Sequence, residues 1–456
     1  MASLHLLIIL PEPVNAIDYH GRASIGGYFS KERFNDVSAN GTTSNDSAVG
    51  SARFYFDASK ISSKKLRFVT DVRNENDAFG QLDQEELQLS SRYTLQLRQL
   101  NLQYPNHFGG IYGSFGRFQA FNSGVVYVDG LELGFHFTSK LKGGIFGGQN
   151  PKSDQAYELQ WSNSRPIFGS FVIYQDSEAS WYRHTYSSTA IIRMKDDAIS
   201  EETVEVEQTG LGGGTGPLLR SFIYNNTVLQ FNRNNRLLTW IYYDVEPKPD
   251  LQNLWMSYYT MFAKKASLLL SVLDIHANEY REIQSIREEL EPSSYQEAKA
   301  KLSLYLIPNG VLLANILTGK RTLDGLKRKE YSLGIEMARF INHRISAHLI
   351  GGVREKFTNK DKFLKLGIGY YSRNVEVAAD YEMAVENKMD GDVLHPKILE
   401  LSLGLIASKK FFTTIVAQRI TDERVNITSA LFRITSRFGN KDIPPIRDGG
   451  PPRGSL

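Results

Sequence analysis

The chain has 456 residues, no cysteine and a near-neutral balance of 53 Lys+Arg against 50 Asp+Glu, for a net charge of +3. That balance excludes a general nucleic-acid binder, which carries a clustered basic excess. No run of about 18 apolar residues is present, which excludes a transmembrane helix. Only 41% of residues are hydrophobic, yet Phe and Tyr number 25 and 23. Few apolar residues but many aromatics suit a wall with one wet face and one greasy face.

The first segment, MASLHLLIILPEPVNA, has a short apolar stretch at Leu4–Leu10 ended by Pro11 and Pro13. Val14 and Ala16 occupy the −3 and −1 places of a signal-peptidase site, so residues 1–16 are expected to be a signal peptide. No Lys or Arg precedes the apolar stretch. A chain that crosses an oxidising compartment unfolded is compatible with the lack of cysteine.

From Ile17 onward the dominant period is two, which puts alternate side chains on opposite faces of a strand. Ala52, Phe54, Phe56 and Ala58 share a face, with Arg53, Tyr55 and Asp57 on the other. Leu66, Phe68, Thr70 and Val72 oppose Arg67, Asp71 and Arg73, and Leu131, Leu133, Phe135 and Phe137 oppose Glu132, Gly134 and His136. The second half is cleaner. Tyr331, Leu333 and Ile335 oppose Ser332, Gly334 and Glu336; Leu364, Leu366 and Ile368 oppose Lys365 and Gly367. Val375, Val377, Ala379 and Tyr381 oppose Glu376, Asp380 and Glu382, and Leu399, Leu401 and Leu403 oppose Glu400 and Ser402. Glycines within these stretches (Gly134, Gly334, Gly367, Gly369, Gly404) would weaken an ordinary soluble strand.

Turn chemistry punctuates the rhythm. Asn309-Gly310 and Asn234-Asn235 sit between apolar stretches as two-residue hairpin turns, and Asn342-His343 and Arg373-Asn374 act likewise. Three polar stretches read as longer connections: Asn40–Ser51, Asn74–Ser91 and Lys195–Gly216. The last is acidic, then glycine-rich; no Gly-Lys-Ser/Thr follows, so it is not a P-loop. His276–Ala300 is the one segment with a helix-like apolar face (Ile283, Ile286, Leu290), and a plain loop fits it equally. After Phe438 the Pro- and Gly-rich residues 439–456 read as a disordered tail.

Val425–Phe438 carries Ala430, Phe432, Ile434 and Phe438 at alternate places, although Ser436 does not fit. It resembles the C-terminal assembly strand of Gram-negative outer-membrane barrels, with the difference that this chain continues past the aromatic. A second resemblance lies in Leu100–Phe137. Gly116 and Arg117, followed by Asp129 and Gly130, are similar to consecutive hairpins of porin-like barrels in which the arginine points into the lumen. The resemblances imply an outer-membrane location.

The expected fold is therefore all-β: a single closed antiparallel transmembrane β-barrel over 17–438, up-and-down, of about 24 strands within a range of 20–26. Closure requires Tyr19–Phe29 to pair with Val425–Phe438, because no open edge is tolerated in hydrocarbon. The expected function is a porin-like channel for passive passage of small polar solutes or ions. Arg67, Arg73, Arg98, Arg117, Arg433 and Arg437 would line the pore opposite Glu132, Glu336, Glu376, Asp380, Glu382 and Glu400. The alternative is a non-conducting barrel that anchors or sheaths a periplasmic or surface partner. Outer-membrane lipid and small polar solutes are the expected partners, with no nucleic acid, and a monomer is expected. None of the nine histidines (His5, His20, His107, His136, His184, His276, His343, His348, His395) forms a zinc pair. No nucleophile elbow is present, so no catalysis, cofactor or metal is expected.

Overall fold

The computed structural model describes residues 17–36, 41–61, 66–77, 93–108, 110–120, 126–151, 159, 165–176, 184–196, 218–246, 249–262, 265–275, 295–322, 325–357, 359–388 and 391–440. The expected signal peptide at 1–16 and residues 441–456 of the tail lie outside them. Strands fill the described chain in the order β1 Asp18–Asp36, β2 Gly41–Ile61, β3 Leu66–Asp77, β4 Tyr93–Phe108, β5 Ile111–Ala120, β6 Val126–His136, β7 Leu141–Gln149 and β8 Pro166–Asp176. Then come β9 His184–Asp196, β10 Leu218–Gln230, β11 Asn235–Glu246, β12 Asp250–Phe262, β13 Ala266–Ile275, β14 Tyr295–Ile307, β15 Gly310–Arg321 and β16 Lys327–Met337. The last are β17 Ile345–Glu355, β18 Asn359–Tyr371, β19 Val375–Lys388, β20 Val393–Leu394, β21 Lys397–Ser408, β22 Phe411–Thr421 and β23 Val425–Gly439.

Every pairing is antiparallel between neighbours in sequence, apart from the closing pair. The two-residue β20 lies only against Glu386 and Asn387 of β19, which pairs onward with β21. The wall is thus a closed up-and-down barrel of 22 strands plus this one extra, close to the expected about 24. β1 closes on β23 from His20↔Gly439 to Phe34↔Val425, which joins the two segments the sequence singled out. With 22 strands at ~4.8 Å spacing and ~40° tilt, the backbone cylinder is roughly 40–45 Å across.

The connections sort by end. At the end where β1 begins, no interval between strands exceeds seven residues (62–65, 109–110, 177–183, 308–309, 338–344 and others). The intervals 78–92, 150–165, 197–217 and 276–294 all fall at the opposite end. Short turns on one side and long connections on the other are the habit of outer-membrane barrels.

Several turns differ in detail from expectation. In the β14–β15 hairpin Ile307 pairs with Gly310, so Pro308 and Asn309 make the turn and Gly310 already belongs to the strand. Asn309 has φ +58°, and proline followed by a positive-φ residue is the type II arrangement. The supposed connection Asn40–Ser51 is mostly strand: β2 pairs with β1 along its whole length, down to Asp36↔Gly41. Its Gly, Asn and Asp residues are poor strand formers by themselves, but a partner edge supplies the hydrogen bonds and overrides propensity. The same holds for Tyr295–Ala300, which begins β14; residues 276–294 of that helix-like segment lie outside the described residues, as does the whole of the connection 197–216.

Exposed apolar side chains ring the outside. Among the described side chains, every barrel strand except β3 and β10 carries at least one large exposed apolar residue, such as Ile145, Phe168, Leu333 (70% exposed) and Ile368. The opposite face is polar over much of the circumference, but one sector departs from the expected wet interior. On β5–β10 the side chains facing away from Phe168, Val172 and Ile191 form an apolar cluster that includes Phe118, Val128, Phe146, Ile167, Phe171, Ile173, Ile192 and Phe222. Val128, Ile167, Ile173 and Ile192 are fully buried. Strict alternation fails there because both faces are apolar.

Candidate functional site: the charged inner wall

A row of glycines sets the geometry of β5–β7. Gly116 pairs with Gly130, which pairs with Gly148. Gly116 has φ +109°, and a Cβ on it would sit 2.3 Å from the Leu100 carbonyl; one on Gly130 would sit 2.1 Å from the Gly147 carbonyl. Three strands approach so closely that only hydrogen fits, as at a designed barrel corner.

The next rung beyond that corner holds Arg117 opposite Asp129. Arg117 Nε and Nη2 donate to Asp129 Oδ1 and Oδ2, both at 2.5 Å. Arg117 Nη1 donates to the Leu97 carbonyl at 2.8 Å, and Asn101 Nδ2 donates to the Arg117 carbonyl at 3.0 Å. The pair is withdrawn from solvent, at 1% and 0% side-chain exposure. Planar bidentate pairing with additional backbone bonds is what lets two charges sit in such a place.

The same chemistry recurs around the wall between neighbouring strands, and once across two strands. Arg53 binds Asp71 at 2.8 and 2.5 Å. Arg67 binds Asp57 at 3.0 and 2.6 Å and reaches Gln103 at 3.2 Å. Arg220 binds Asp244 with two contacts of 2.7 Å. Arg354 bridges Asp361 at 2.9 Å and Glu382 at 2.7 Å, with its guanidinium 4.0 Å from the Phe363 ring centroid. Lys356 adds a contact to Asp361 at 3.2 Å.

The residues expected to line the pore are placed as follows. Arg67, Arg117 and Glu382 engage Asp57, Asp129 and Arg354 rather than one another. Arg98 donates to the Tyr127 hydroxyl at 3.2 and 2.9 Å. Arg73 lies opposite Arg53, and Glu376 opposite Gly404. Glu132 sits between Ser114 and Phe146. Glu336 lies opposite His348, and Asp380 opposite both Gly367 and Glu400. His348 Nε2 approaches Asp380 Oδ1 to 3.1 Å without hydrogen-bond geometry. Glu336, Glu376, Asp380, Glu382 and Glu400 occupy one sector, β16–β21, whereas Glu132 is on β6. Arg433 lies opposite Gly26, and Arg437 opposite Arg22. The expected list omitted Arg22, Arg53, Asp57, Asp71, Arg220, Asp244, Arg354 and Asp361. Alternation placed Arg53 and Asp57 on the polar face, and His20-x-Arg22-x-Ser24 carries the same signature.

A closed cylinder that is greasy outside, satisfies every edge and keeps its ion pairs within the wall is built for a bilayer. The molecule is a closed transmembrane-type β-barrel.

No family model matches the chain, and no curated protein matches it. Among solved structures it is similar in extent to a BenF-like porin from Pseudomonas fluorescens Pf-5, at 7% identity over 93% of this chain and 99% of that one, with a TM-score of 0.46. Pseudomonas aeruginosa OccK7 (OpdD) gives 7% identity, 93% and 99% coverage and a TM-score of 0.43. Acinetobacter baumannii OccAB4 gives 8%, 93% and 98%, and 0.41. At such scores the reading of this barrel rests on its own geometry.

Proposed function

We propose that the barrel is a passive channel for small polar solutes or ions. The observation that carries this is the split of the wall: exposed apolar rows such as Tyr331 and Leu333 outside, and charged, paired side chains such as Arg354, Asp361 and Glu382 on the other face. A cylinder of 22 strands has room for water wherever it is not filled. The apolar sector over β5–β10 narrows the wetted part to the remaining arc. Basic groups on β1–β3 and β23 lie beside the acidic sector on β16–β21, so a dipolar solute would be oriented between them.

The test is conductance of the purified protein in planar bilayers. Discrete steps are expected, with their ion selectivity altered by Glu382→Gln or Glu400→Gln. A preparation that inserts, resists denaturation in detergent as folded barrels do, and gives no steps would refute the channel reading.

A further inference from the structure

Arginines at the closing seam break the pattern of local neutralisation. Arg22 on β1 and Arg437 on β23 are directly opposite each other in the ladder. Such cross-strand neighbours have Cβ atoms about 5 Å apart, and like charges there oppose folding. Arg433 lies four residues before Arg437 on β23, roughly 13 Å away at a strand's rise per residue. None of the three has an ion pair within 4 Å among the described residues. Arg22 is instead within electrostatic reach of Arg53, Arg433 and Arg437; the one acid in reach, Asp71, is already bidentate to Arg53. Arg437 rests 5.6 Å from the Phe412 ring centroid. The rungs between them carry Ser24 opposite Thr435 and Gly26 opposite Arg433, small residues that leave the guanidiniums uncovered. Elsewhere on the wall Arg53, Arg67, Arg117, Arg220 and Arg354 each hold a carboxylate.

We propose that Arg22, Arg433 and Arg437 form an oxyanion subsite at the β1–β23 seam, which takes a small solute with at least two negatively charged oxygens, of phosphate or dicarboxylate type. The planar guanidinium fork matches such groups in two-point contacts. A bound oxyanion supplies the counter-charge that the wall omits at this place. The subsite lies near the end of the barrel that carries the short turns, since Arg22 is close to the start of β1 and Arg437 to the end of β23. The proposal rests on the channel reading only in that the solute reaches the seam through the interior.

Binding is measured on the detergent-solubilised full chain, with inorganic phosphate as probe against chloride at equal ionic strength, by calorimetry and by melting temperature. Saturable phosphate binding is expected, with a rise in melting temperature that chloride does not give. R22Q/R437Q should weaken binding about tenfold or more, as loss of charge-assisted hydrogen bonds implies. It should also raise the melting temperature without phosphate, because the like-charge pair is gone. Arg433→Gln, at an exposed position, gives the same loss of binding should the double variant fold poorly. Arg193→Gln, on β9 beside Glu246, should bind as the parent does. Absence of saturable binding beyond chloride overturns the subsite, as does equal binding by Arg433→Gln. Because no membrane is involved, a barrel that binds phosphate but does not conduct would sink the channel reading alone.

Discussion

Arg117 and Asp129 stand directly opposite each other on β5 and β6, doubly hydrogen-bonded at 2.5 Å and together almost wholly cut off from solvent. Removing one partner of such a pair leaves a buried charge without its counterpart, at a cost of about 3–5 kcal/mol. Asp129→Asn and Arg117→Met are each expected to lower the unfolding free energy of the detergent-folded barrel, read from urea titrations, by that amount. The double variant R117M/D129L should recover most of the loss. Single variants as stable as the parent would show that the pair is worth nothing to the fold.

The glycine corner gives a second expectation. Gly116 combines φ +109° with a Cβ position 2.3 Å from the Leu100 carbonyl. Gly116→Ala therefore meets both backbone strain and a collision, with an expected cost of at least 1–3 kcal/mol. Gly404→Ala, whose nearest neighbour is Glu376 Cβ at 3.5 Å, should be nearly silent. Parallel unfolding titrations of the two variants compare them, and equal stabilities would contradict the close approach.

Which face meets lipid is open to direct test. Leu333 is 70% exposed in the middle of β16. Leu333→Arg should cost about 2–4 kcal/mol at the bilayer midplane. Gln418→Arg, opposite Glu400 on the other face of the wall, should be tolerated. Unfolding in lipid vesicles measures both, and a reversed order would turn the barrel inside out.

Acid should loosen one rim contact. Glu423, between β22 and β23, accepts from the His395 amide at 2.9 Å and contacts His395 Nδ1 at 2.7 Å. These bonds hold its carboxyl at about 2, below the ordinary value of 4.5. A depressed carboxyl stabilises the folded state above its unfolded value, and that contribution is lost as pH falls from about 4.5 toward about 2. Arg424 pairs with Asp392 alongside. Amide exchange at Val393–Leu394 should therefore quicken over that acid window, and Glu423→Gln should remove the pH dependence. Unchanged exchange through the window would discard the link.

Much of the barrel was legible in the sequence because lipid outside and water inside impose opposite demands on alternate residues. Leu333, Ile368 and Leu401 announced their strands in this way, and the closing partners Tyr19–Phe29 and Val425–Phe438 followed from the ban on open edges. The β1–β2 hairpin was less visible: Thr42–Ser47 has no apolar row, and its strand exists only because β1 offers a matching edge. The apolar sector of β5–β10 was hidden for the opposite reason. Ile167-Phe168 and Phe171-Val172-Ile173-Tyr174 put greasy residues on both faces, so period two carries little contrast. For the charged wall, residue types were visible but partners were not. Arg67 and Asp57 are ten residues apart in sequence, and only the register of β2 against β3 makes them a pair.

An even number of wall strands brings both ends of the cylinder's chain back to one rim, where Asn440 grips the entry of β1. Its side chain accepts from the Tyr19 amide at 2.8 Å and donates to the Ile17 carbonyl at 2.7 Å, while its own amide donates to Tyr19 at 3.1 Å. Any cargo tethered before Ile17 or after Asn440 is thereby delivered to a single compartment. A reporter meant for the far compartment has to be spliced into one of the long intervals, such as 197–217.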